Sequence, residues 1–201
     1  MKTEILKIKG DWQEVLNDCR ATVGKAELHK EPSDKFKRDI VRAEHSPIRD
    51  IEIKFRWRDI KYWVAMHWKT HTWQSRVDSQ RNDRQEKYDR DKAPQDSPVT
   101  LTGEMNGQHT IDTQRKRLCY MASPETRELA EDFKYTCNSI DALKDFAWGM
   151  QKNCVYRCGC PEINGGCQWF EGFKTRHPEV DWTNIDSRYE AADAEFYEKY
   201  K

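Results

Sequence analysis

Long apolar runs are missing from this sequence of 201 residues, in which the longest uninterrupted apolar stretch, 62–66, has five members. A helix that spans a bilayer needs about 20 apolar residues, so no membrane span is expected. The first residues also lack the apolar stretch and cleavage site of a secretory signal, which leads us to expect a cytoplasmic protein. In that reducing compartment the seven cysteines would be free thiols or metal ligands rather than a disulfide framework.

Net charge is missing as well, because 35 Lys and Arg residues balance 35 Asp and Glu residues. A neutral chain has no general attraction to nucleic acid or to an anionic membrane surface, so we expect neither as a partner. Mean hydropathy is low at −1.06, yet 8 Trp, 8 Tyr and 7 Phe argue against disorder. We expect a small core that is built on aromatic side chains or completed by an oligomer interface.

The apolar periodicity predicts an α+β protein. Residues 49–58 alternate apolar and charged side chains, which is typical of a strand with one face in water. Residues 76–98 are almost free of apolar side chains and are predicted to form a charged loop. The rest is mainly helical in pattern, with predicted helices after Asp11, after Ser33, from Asp59 to about Thr70, over 106–120, after Ser123, over 140–151 and from the capping-box pair Ser187 and Glu190.

Cationic side chains are concentrated in the middle of the chain. From 31 to 90 there are 15 Lys and Arg against 11 Asp and Glu, a local excess that the overall balance hides. The planar guanidinium of arginine matches phosphate oxygens, so this region suits a phosphorylated ligand. The same composition is also typical of a solvated surface with many ion pairs, and composition alone does not separate the two readings.

Two stretches carry a more specific pattern. In the first, RAEHSPI at 42–48 leads into the strand and a helix, and then come Lys69-Thr70-His71, seven residues, and Ser79-Gln80-Arg81. In the second, 117–130 read RLCYMASPETRELA. Order and spacing resemble the signature RHR, seven residues, S-x-R, and the AQxEIRELA helix, of the flavin-dependent thymidylate synthases, the ThyX family. The resemblance covers roughly residues 33–135.

The resemblance implies a homotetramer of mixed α/β subunits with an antiparallel sheet and long helices. It places a nucleotide- and flavin-binding domain at 1–150 and leaves 151–201 as a Cys-rich and helical C-terminal extension. The family transfers a methylene group from methylenetetrahydrofolate to dUMP, with a hydride from FAD that NADPH has reduced. FAD is therefore the implied cofactor, and dUMP or a related pyrimidine nucleotide, folate and NADPH are the implied partners.

The resemblance also implies site residues, position by position. The nucleotide would be bound by Ser79, Gln80, Arg81 and Arg127, and the flavin by Ser46, Lys69, His71 and Arg117. No catalytic side chain is implied, because the flavin carries the hydride chemistry. The signature RHR reads Lys69-Thr70-His71 here, which loses the bidentate geometry of arginine and the full charge of the third position. The alternative is therefore an inactive relative that serves nucleotide binding or assembly.

Four cysteines fall within 14 residues near the C-terminus: Cys154, Cys158, Cys160 and Cys167. Close thiols in a glycine-containing stretch suit zinc or an iron–sulfur cluster. Their spacing, C-x3-C-x-C-x6-C, is not that of paired zinc knuckles, so a metal-free thiol-rich turn and a disulfide remain open. The other cysteines are predicted to be small buried apolar side chains: Cys19, Cys119 and Cys137.

Overall fold

The computed structural model describes residues 2–81, 83 and 89–201. In this part of the chain one antiparallel sheet has the strand order β1-β2-β4-β3. Its strands are β1 (Glu4–Lys9), β2 (Glu52–Lys61), β3 (Gln74–Val77) and β4 (Pro98–Asn106). The predicted α+β class and the antiparallel sheet are therefore confirmed.

Helices account for most of the remaining described chain. They are α1 (Trp12–Ala21), α2 (Asp34–Ala43), α3 (Tyr62–Lys69), α4 (Gly107–Arg117), α5 (Pro124–Asn138), α6 (Lys144–Gly149), α7 (Asn153–Arg157), α8 (Trp169–Arg176) and α9 (Ile185–Glu198). Two short 3₁₀ helices, Ser46–Asp50 and Ile163–Gly165, connect them. None of the described helices is long and apolar enough to cross a membrane.

The core lies on one face of β2, as the alternating pattern predicts. Phe55 and Trp57 are fully buried, and both rings pack on Phe133 of α5. The ring centroids of Phe55 and Phe133 are 5.0 Å apart in an edge-to-face arrangement, which aromatic quadrupoles favour. Trp68 of α3 closes the cluster, with its ring centroid 4.6 Å from that of Trp57. The expected aromatic core is therefore present within a single chain.

The predicted start of α3 at Asp59 is wrong. Strand β2 continues through Lys61, because Ile60 and Lys61 still pair with Val99 and Pro98 of β4. Asp59 lies in a pairing irregularity of β2 and adopts a left-handed conformation with φ of 54°. A short acidic residue tolerates that conformation, which explains its position without any capping role. The helix begins only at Tyr62 and has no side-chain cap.

Other helix starts follow the sequence closely. Side-chain oxygens of Asp11, Ser33 and Ser123 accept backbone N–H bonds at the predicted starts of α1, α2 and α5. The last helix begins earlier than predicted, because Asn184 caps it and Ser187 lies inside it. The hydroxyl of Ser187 accepts a bond from the backbone of Asp181 instead.

Strand content is where the sequence prediction falls short. Periodicity indicates one strand, whereas the described chain has four. In β4 the inward positions Val99, Leu101 and Met105 are buried, a pattern that 98–106 does carry. The predicted loop 76–98 also overlaps the end of β3 and the start of β4, and its positions 82 and 84–88 lie outside the described residues.

The C-terminal segment packs on α5 through a buried lysine. Lys134, which is 1% exposed, donates to a carboxylate oxygen of Asp193 at 2.6 Å and to the carbonyl of Met150 at 2.9 Å. Arg188 of α9 donates to the carbonyls of Val155 and Trp182 at 3.0 and 2.6 Å. These bonds satisfy buried charges that would otherwise be costly. The domain division at residue 150 stays a prediction.

Candidate functional site

Helix α4 positions much of the candidate site, and its first residue is fixed by close packing. A Cβ atom on Gly107 would lie 2.4 Å from the carbonyl oxygen of Ile48 and 2.4 Å from the ring of Phe146. The side chain of Asn106 caps the helix by accepting from the backbone N–H of His109 at 2.9 Å. The 3₁₀ helix 46–50 is thus held directly against the start of α4.

The two sequence blocks meet at the other end of α4. Nε of Arg117 donates to Nε2 of His71 at 2.8 Å. The same guanidinium donates to the hydroxyl of Thr70 at 3.1 Å and to the carbonyl of His67 at 2.5 Å. Two residues that the resemblance assigns to the flavin are therefore in direct contact, although 45 positions lie between them in the sequence.

His71 is held in its neutral form by this arrangement. Burial, followed by the nearby charges of Arg117 and Lys116, lowers the pKa of His71 to about 4. At neutral pH the ring is therefore an uncharged acceptor for Arg117 rather than a cation. Burial also lowers the pKa of Arg117, which nevertheless stays protonated.

A basic cleft of about 380 Å³ runs along α4, and we call it the α4 cleft. It is lined by Thr70, His71, Thr72, His109, Asp112, Thr113, Arg115, Lys116, Asn153, Tyr156 and Arg157. Lys116 and Arg157 are exposed at its surface, and Nε of Arg157 is held by the side chain of Asn153 at 2.9 Å. The cleft therefore combines two accessible cations with several neutral donors.

Arg115 gives the α4 cleft a rigid wall. Its guanidinium lies 3.5 Å from the centre of the Tyr156 ring and forms an ion pair with Glu44. Glu44 ends α2 in a left-handed conformation and also accepts a bond from Gln108 at 2.6 Å. Burial opposes ionisation of Glu44, but its bonds from Arg115 and Gln108 hold the pKa of this carboxyl below its usual value. The pair is therefore charged at neutral pH and fixes α2 against α4.

A second cleft, of about 310 Å³, lies beside β3, and we call it the β3 cleft. It is lined by Tyr62, Met66, Lys69, Val77, Asp78, Gln80, Arg81 and Arg90. Three of these were predicted as ligand contacts, namely Lys69, Gln80 and Arg81. Nε of Arg81 donates to the carboxylate of Asp83 at 2.8 Å, and this bond holds the pKa of Asp83 below its usual value.

The remaining predicted site residues lie outside the lining of both clefts. Ser79 precedes Gln80 in the chain and is half-buried. Arg127 lies on α5 with its guanidinium 4.6 Å from the centre of the Tyr120 ring. Ser46 is exposed in the first 3₁₀ helix. The structure thus brings together His71 with Arg117, and Lys69 with Gln80 and Arg81, as two groups rather than one.

The predicted metal ligands do not form one group. Cys158 is exposed and its thiol donates to the carbonyl of Trp182 at 3.3 Å. Cys154, Cys160 and Cys167 instead line a cavity of about 190 Å³, which we call the thiol cavity, together with Cys119. Across the described residues, no group of three or more His, Cys, Asp or Glu side chains is arranged to hold a metal ion.

Sequence reasoning missed several of these positions. Arg157 lines the α4 cleft, and Lys152 lines the thiol cavity. Both come from the segment after 150, which the resemblance does not cover. The sequence predicts Cys119 as a buried apolar side chain, whereas it is half-buried and lines the thiol cavity. No sequence signal links Cys119 to the later cysteines, because the contact is made only by the fold.

The chain has the fold of the flavin-dependent thymidylate synthases. ThyX from Helicobacter pylori with FAD and dUMP is similar at a TM-score of 0.61 and 11% identity, over 73% of this chain and 97% of that one. A second H. pylori ThyX structure, complexed with FAD and dUMP, has a TM-score of 0.57 and 13% identity, over 67% and 93%. The UMP/dUMP methylase PolB from Streptomyces cacaoi, bound with 5-Br dUMP, has a TM-score of 0.60 and 12% identity, over 74% and 93%.

Comparisons with protein-family models and with curated proteins give no match. The likeness to solved structures therefore confirms the fold that the two sequence blocks imply. These neighbours are matched almost over their full length, while about a quarter to a third of this chain has no counterpart in them. The neighbours are therefore smaller than this chain.

Proposed function

We propose that this chain is a flavin-dependent methylase of a pyrimidine nucleotide, which converts dUMP to dTMP with methylenetetrahydrofolate and NADPH. The observation that carries the proposal is the contact between His71 and Arg117, because it joins the two sequence blocks within the fold of flavin-dependent thymidylate synthases. A homotetramer in the cytoplasm is part of the same proposal.

The α4 cleft fits the diphosphate of FAD. A diphosphate needs several cations and neutral donors that converge, and the cleft offers Lys116, Arg157 and the hydroxyl of Thr72. Arg115 is already paired with Glu44, so it shapes the wall rather than binding the ligand. Bound FAD would supply the hydride chemistry, which no side chain of the cleft supplies by itself.

The β3 cleft suits the nucleotide phosphate. Gln80, Arg81 and Lys69 present an amide and two cations to the same space. Arg127 lines neither cleft, and its guanidinium lies over the ring of Tyr120 and 4.0 Å from a carboxylate oxygen of Glu131. In the proposed homotetramer, Arg127 of a neighbouring chain would complete the nucleotide site, as expected where a ligand site spans an interface.

The first experiment tests cofactor and nucleotide together. We expect purified protein to show a flavin absorption spectrum, and dUMP with FAD to raise its melting temperature. Conversion of dUMP, or of UMP in a parallel assay, would be followed by chromatography with methylenetetrahydrofolate and NADPH. Arg81→Gln and Arg127→Gln should weaken nucleotide binding about tenfold or more. Arg58→Gln, which removes an exposed arginine that is paired with Glu4, is the matched control.

A specific observation favours a second candidate, an inactive relative that binds nucleotide or serves assembly. The guanidinium of Arg117 is already engaged by His71, Thr70 and the carbonyl of His67, and that of Arg81 by Asp83. Stabilisation by dUMP without product from dUMP or UMP would favour this candidate. Absence of flavin, of nucleotide stabilisation and of product would reject the methylase proposal.

A further inference from the structure

We propose that the thiol cavity is a structural zinc site whose ligands are Cys119, Cys154, Cys160 and Cys167. The cavity lies between the turn that follows α4 and the segment from α7 to α8. Cys119 comes from the first of these, and the other three come from the second. Four thiolates are one of the ligand sets of structural zinc, and in a reducing compartment thiols are available as metal ligands.

The ligand set differs from the sequence-based one by a single exchange. Cys158 belongs to the same short stretch as Cys154 and Cys160, but it ends α7 in a left-handed conformation with φ of 53°. Its thiol donates to the carbonyl of Trp182 and is not part of the cavity lining. Cys119 is the fourth ligand in place of Cys158, although 34 positions lie between Cys119 and Cys154. This exchange also explains why the sequence spacing does not match a paired zinc knuckle.

The four sulfurs surround the cavity without yet meeting at one point. A zinc ion binds thiolate sulfur at about 2.3 Å, so the thiols must move inward when it binds. Cys160 and Cys167 lie on an exposed loop, and the side chain of Gln168 bonds within that loop to the carbonyl of Gly165 at 2.8 Å. Movement of this exposed loop would bring Cys160 and Cys167 toward Cys154, which is buried, and Cys119, which is half-buried.

The loop also places Cys160 closely. Gly166 has a positive φ of 61°, and a Cβ atom there would lie 2.4 Å from Sγ of Cys160. Only glycine leaves room for the sulfur at that point. The backbone N–H of Met121 points at Sγ of Cys119 at 3.5 Å, which is the kind of hydrogen bond that stabilises a thiolate ligand.

The charge in the cavity wall complements a thiolate site. Zinc with four thiolates carries a net charge of about −2, which needs nearby compensation. Lys152 lines the cavity, and its Nζ lies 4.2 Å from the centre of the Trp169 ring. Its ammonium can therefore offset part of that negative charge without being a ligand itself.

Zinc at this position would fasten the C-terminal segment to the candidate site. Cys119 follows Arg117 by two positions and precedes Tyr120, over which the guanidinium of Arg127 lies. A bond from zinc to Cys119 would restrain the turn between α4 and α5. The metal would thus act on shape and stability rather than on the reaction.

The experiment measures metal directly on the full-length protein. Protein purified without chelator, and then equilibrated with Zn²⁺ and desalted, should retain about one equivalent of zinc per chain. Cobalt, used in place of zinc, should give the visible absorption bands of a tetrahedral thiolate complex. Cys119→Ser, Cys160→Ser and Cys167→Ser should each lower zinc affinity at least about tenfold. Cys158→Ser is the matched control and should bind zinc as the wild type does.

Several outcomes would overturn the proposal. They are less than about a tenth of an equivalent of zinc in the wild type, iron with inorganic sulfide in place of zinc, a disulfide among the four cysteines, or zinc loss in Cys158→Ser to the same extent as in Cys119→Ser. If a variant fails to fold, the zinc content and the cobalt spectrum of the wild type decide. Removal of zinc with a chelator should also lower the melting temperature, and an unchanged value would contradict a structural role.

Discussion

Arg117 donates a hydrogen bond to the neutral ring of His71 at 2.8 Å, and together with its bonds to Thr70 and to the carbonyl of His67 this contact ties the end of α4 to the turn after α3. An arginine and a charged imidazolium would repel each other, so the contact requires an unprotonated ring. The burial that lowers the pKa of His71 to about 4 secures this state at neutral pH. A neutral histidine at position 71 thus gives Arg117 an acceptor, where an arginine would be a competing cation.

This contact predicts a pH dependence of stability. The pKa of His71 is lowered on folding from 6.5 to about 4, so the unfolded chain binds the proton more tightly between these values. Stability is therefore lost as pH falls through that window and is fully present above it. Between pH 7 and 5 we expect the wild type to lose about 1 kcal/mol more than His71→Gln, after discounting for partial solvent exposure.

Urea denaturation of both proteins at the two pH values measures this difference. The amide oxygen of glutamine can still accept the bond from Arg117, so the variant should remain folded. Equal losses in the two proteins would show that His71 does not titrate in this way.

The start of α4 should tolerate no side chain. Gly107→Ala brings a Cβ atom against the carbonyl of Ile48 and the ring of Phe146, and we expect about 2 kcal/mol of destabilisation from this overpacking. Gly159→Ala is the matched control, because beyond its two chain neighbours no atom lies within 4 Å of its added Cβ, and its effect should stay within about 0.5 kcal/mol. Chemical denaturation measures both values, and similar effects of the two substitutions would contradict the close packing at Gly107.

Removal of the buried charge of Lys134 should lower the free energy of unfolding. Lys134→Met leaves Asp193 and the carbonyl of Met150 without this donor, and we expect a loss of about 3 kcal/mol in the free energy of unfolding. Lys35→Met removes a lysine whose side chain is 84% exposed, and it should cost less than about 0.5 kcal/mol. Adding Asp193→Leu to Lys134→Met should restore part of the loss, because the uncompensated carboxylate is then removed. Further destabilisation by the second change would argue against an unpaired charge as the cause.

If Arg81 binds the nucleotide phosphate as proposed, its ion pair with Asp83 predicts that substitutions of the two residues change the affinity for dUMP in opposite directions. Asp83 competes with a phosphate for the guanidinium of Arg81. Asp83→Asn should therefore tighten dUMP binding about threefold, since an exposed ion pair is worth only a fraction of a kcal/mol. Arg81→Gln should weaken binding, and calorimetric titration measures both constants. Weaker binding by Asp83→Asn would show that Asp83 orients Arg81 rather than competing for it.

Features of the fold that depend on neighbouring residues were predictable from the sequence. The caps at Asp11, Ser33 and Ser123 depend on bonds within four residues, and the alternation around Phe55 depends on one strand having a wet face. The start of α3 was misplaced because pairing of Ile60 with Val99 extends β2, and that pairing depends on a strand far away in sequence.

The candidate site was predictable only as far as the resemblance reached. The contact of His71 with Arg117 was foreseen as two residues near one ligand, but their direct hydrogen bond was not. Arg157, Lys152 and Cys119 were missed because their neighbours come from distant parts of the chain. Such juxtapositions leave no periodic or spacing signal in a single sequence.

The connection between β3 and β4 is tied at both of its ends. The backbone N–H of Asp78 donates to the carbonyl of Thr100 at 3.1 Å. At the other end, the backbone N–H of Tyr62 donates to the carbonyl of Ser97 at 3.0 Å. The entropy cost of closing a loop depends only weakly on its length. A short turn in place of 79–93 should therefore leave the sheet intact. The same deletion removes Ser79, Gln80 and Arg81. The sheet is therefore expected to fold without 79–93, whereas the proposed nucleotide site would lose Gln80 and Arg81 and keep only Lys69 from the lining that the β3 cleft contributes to it.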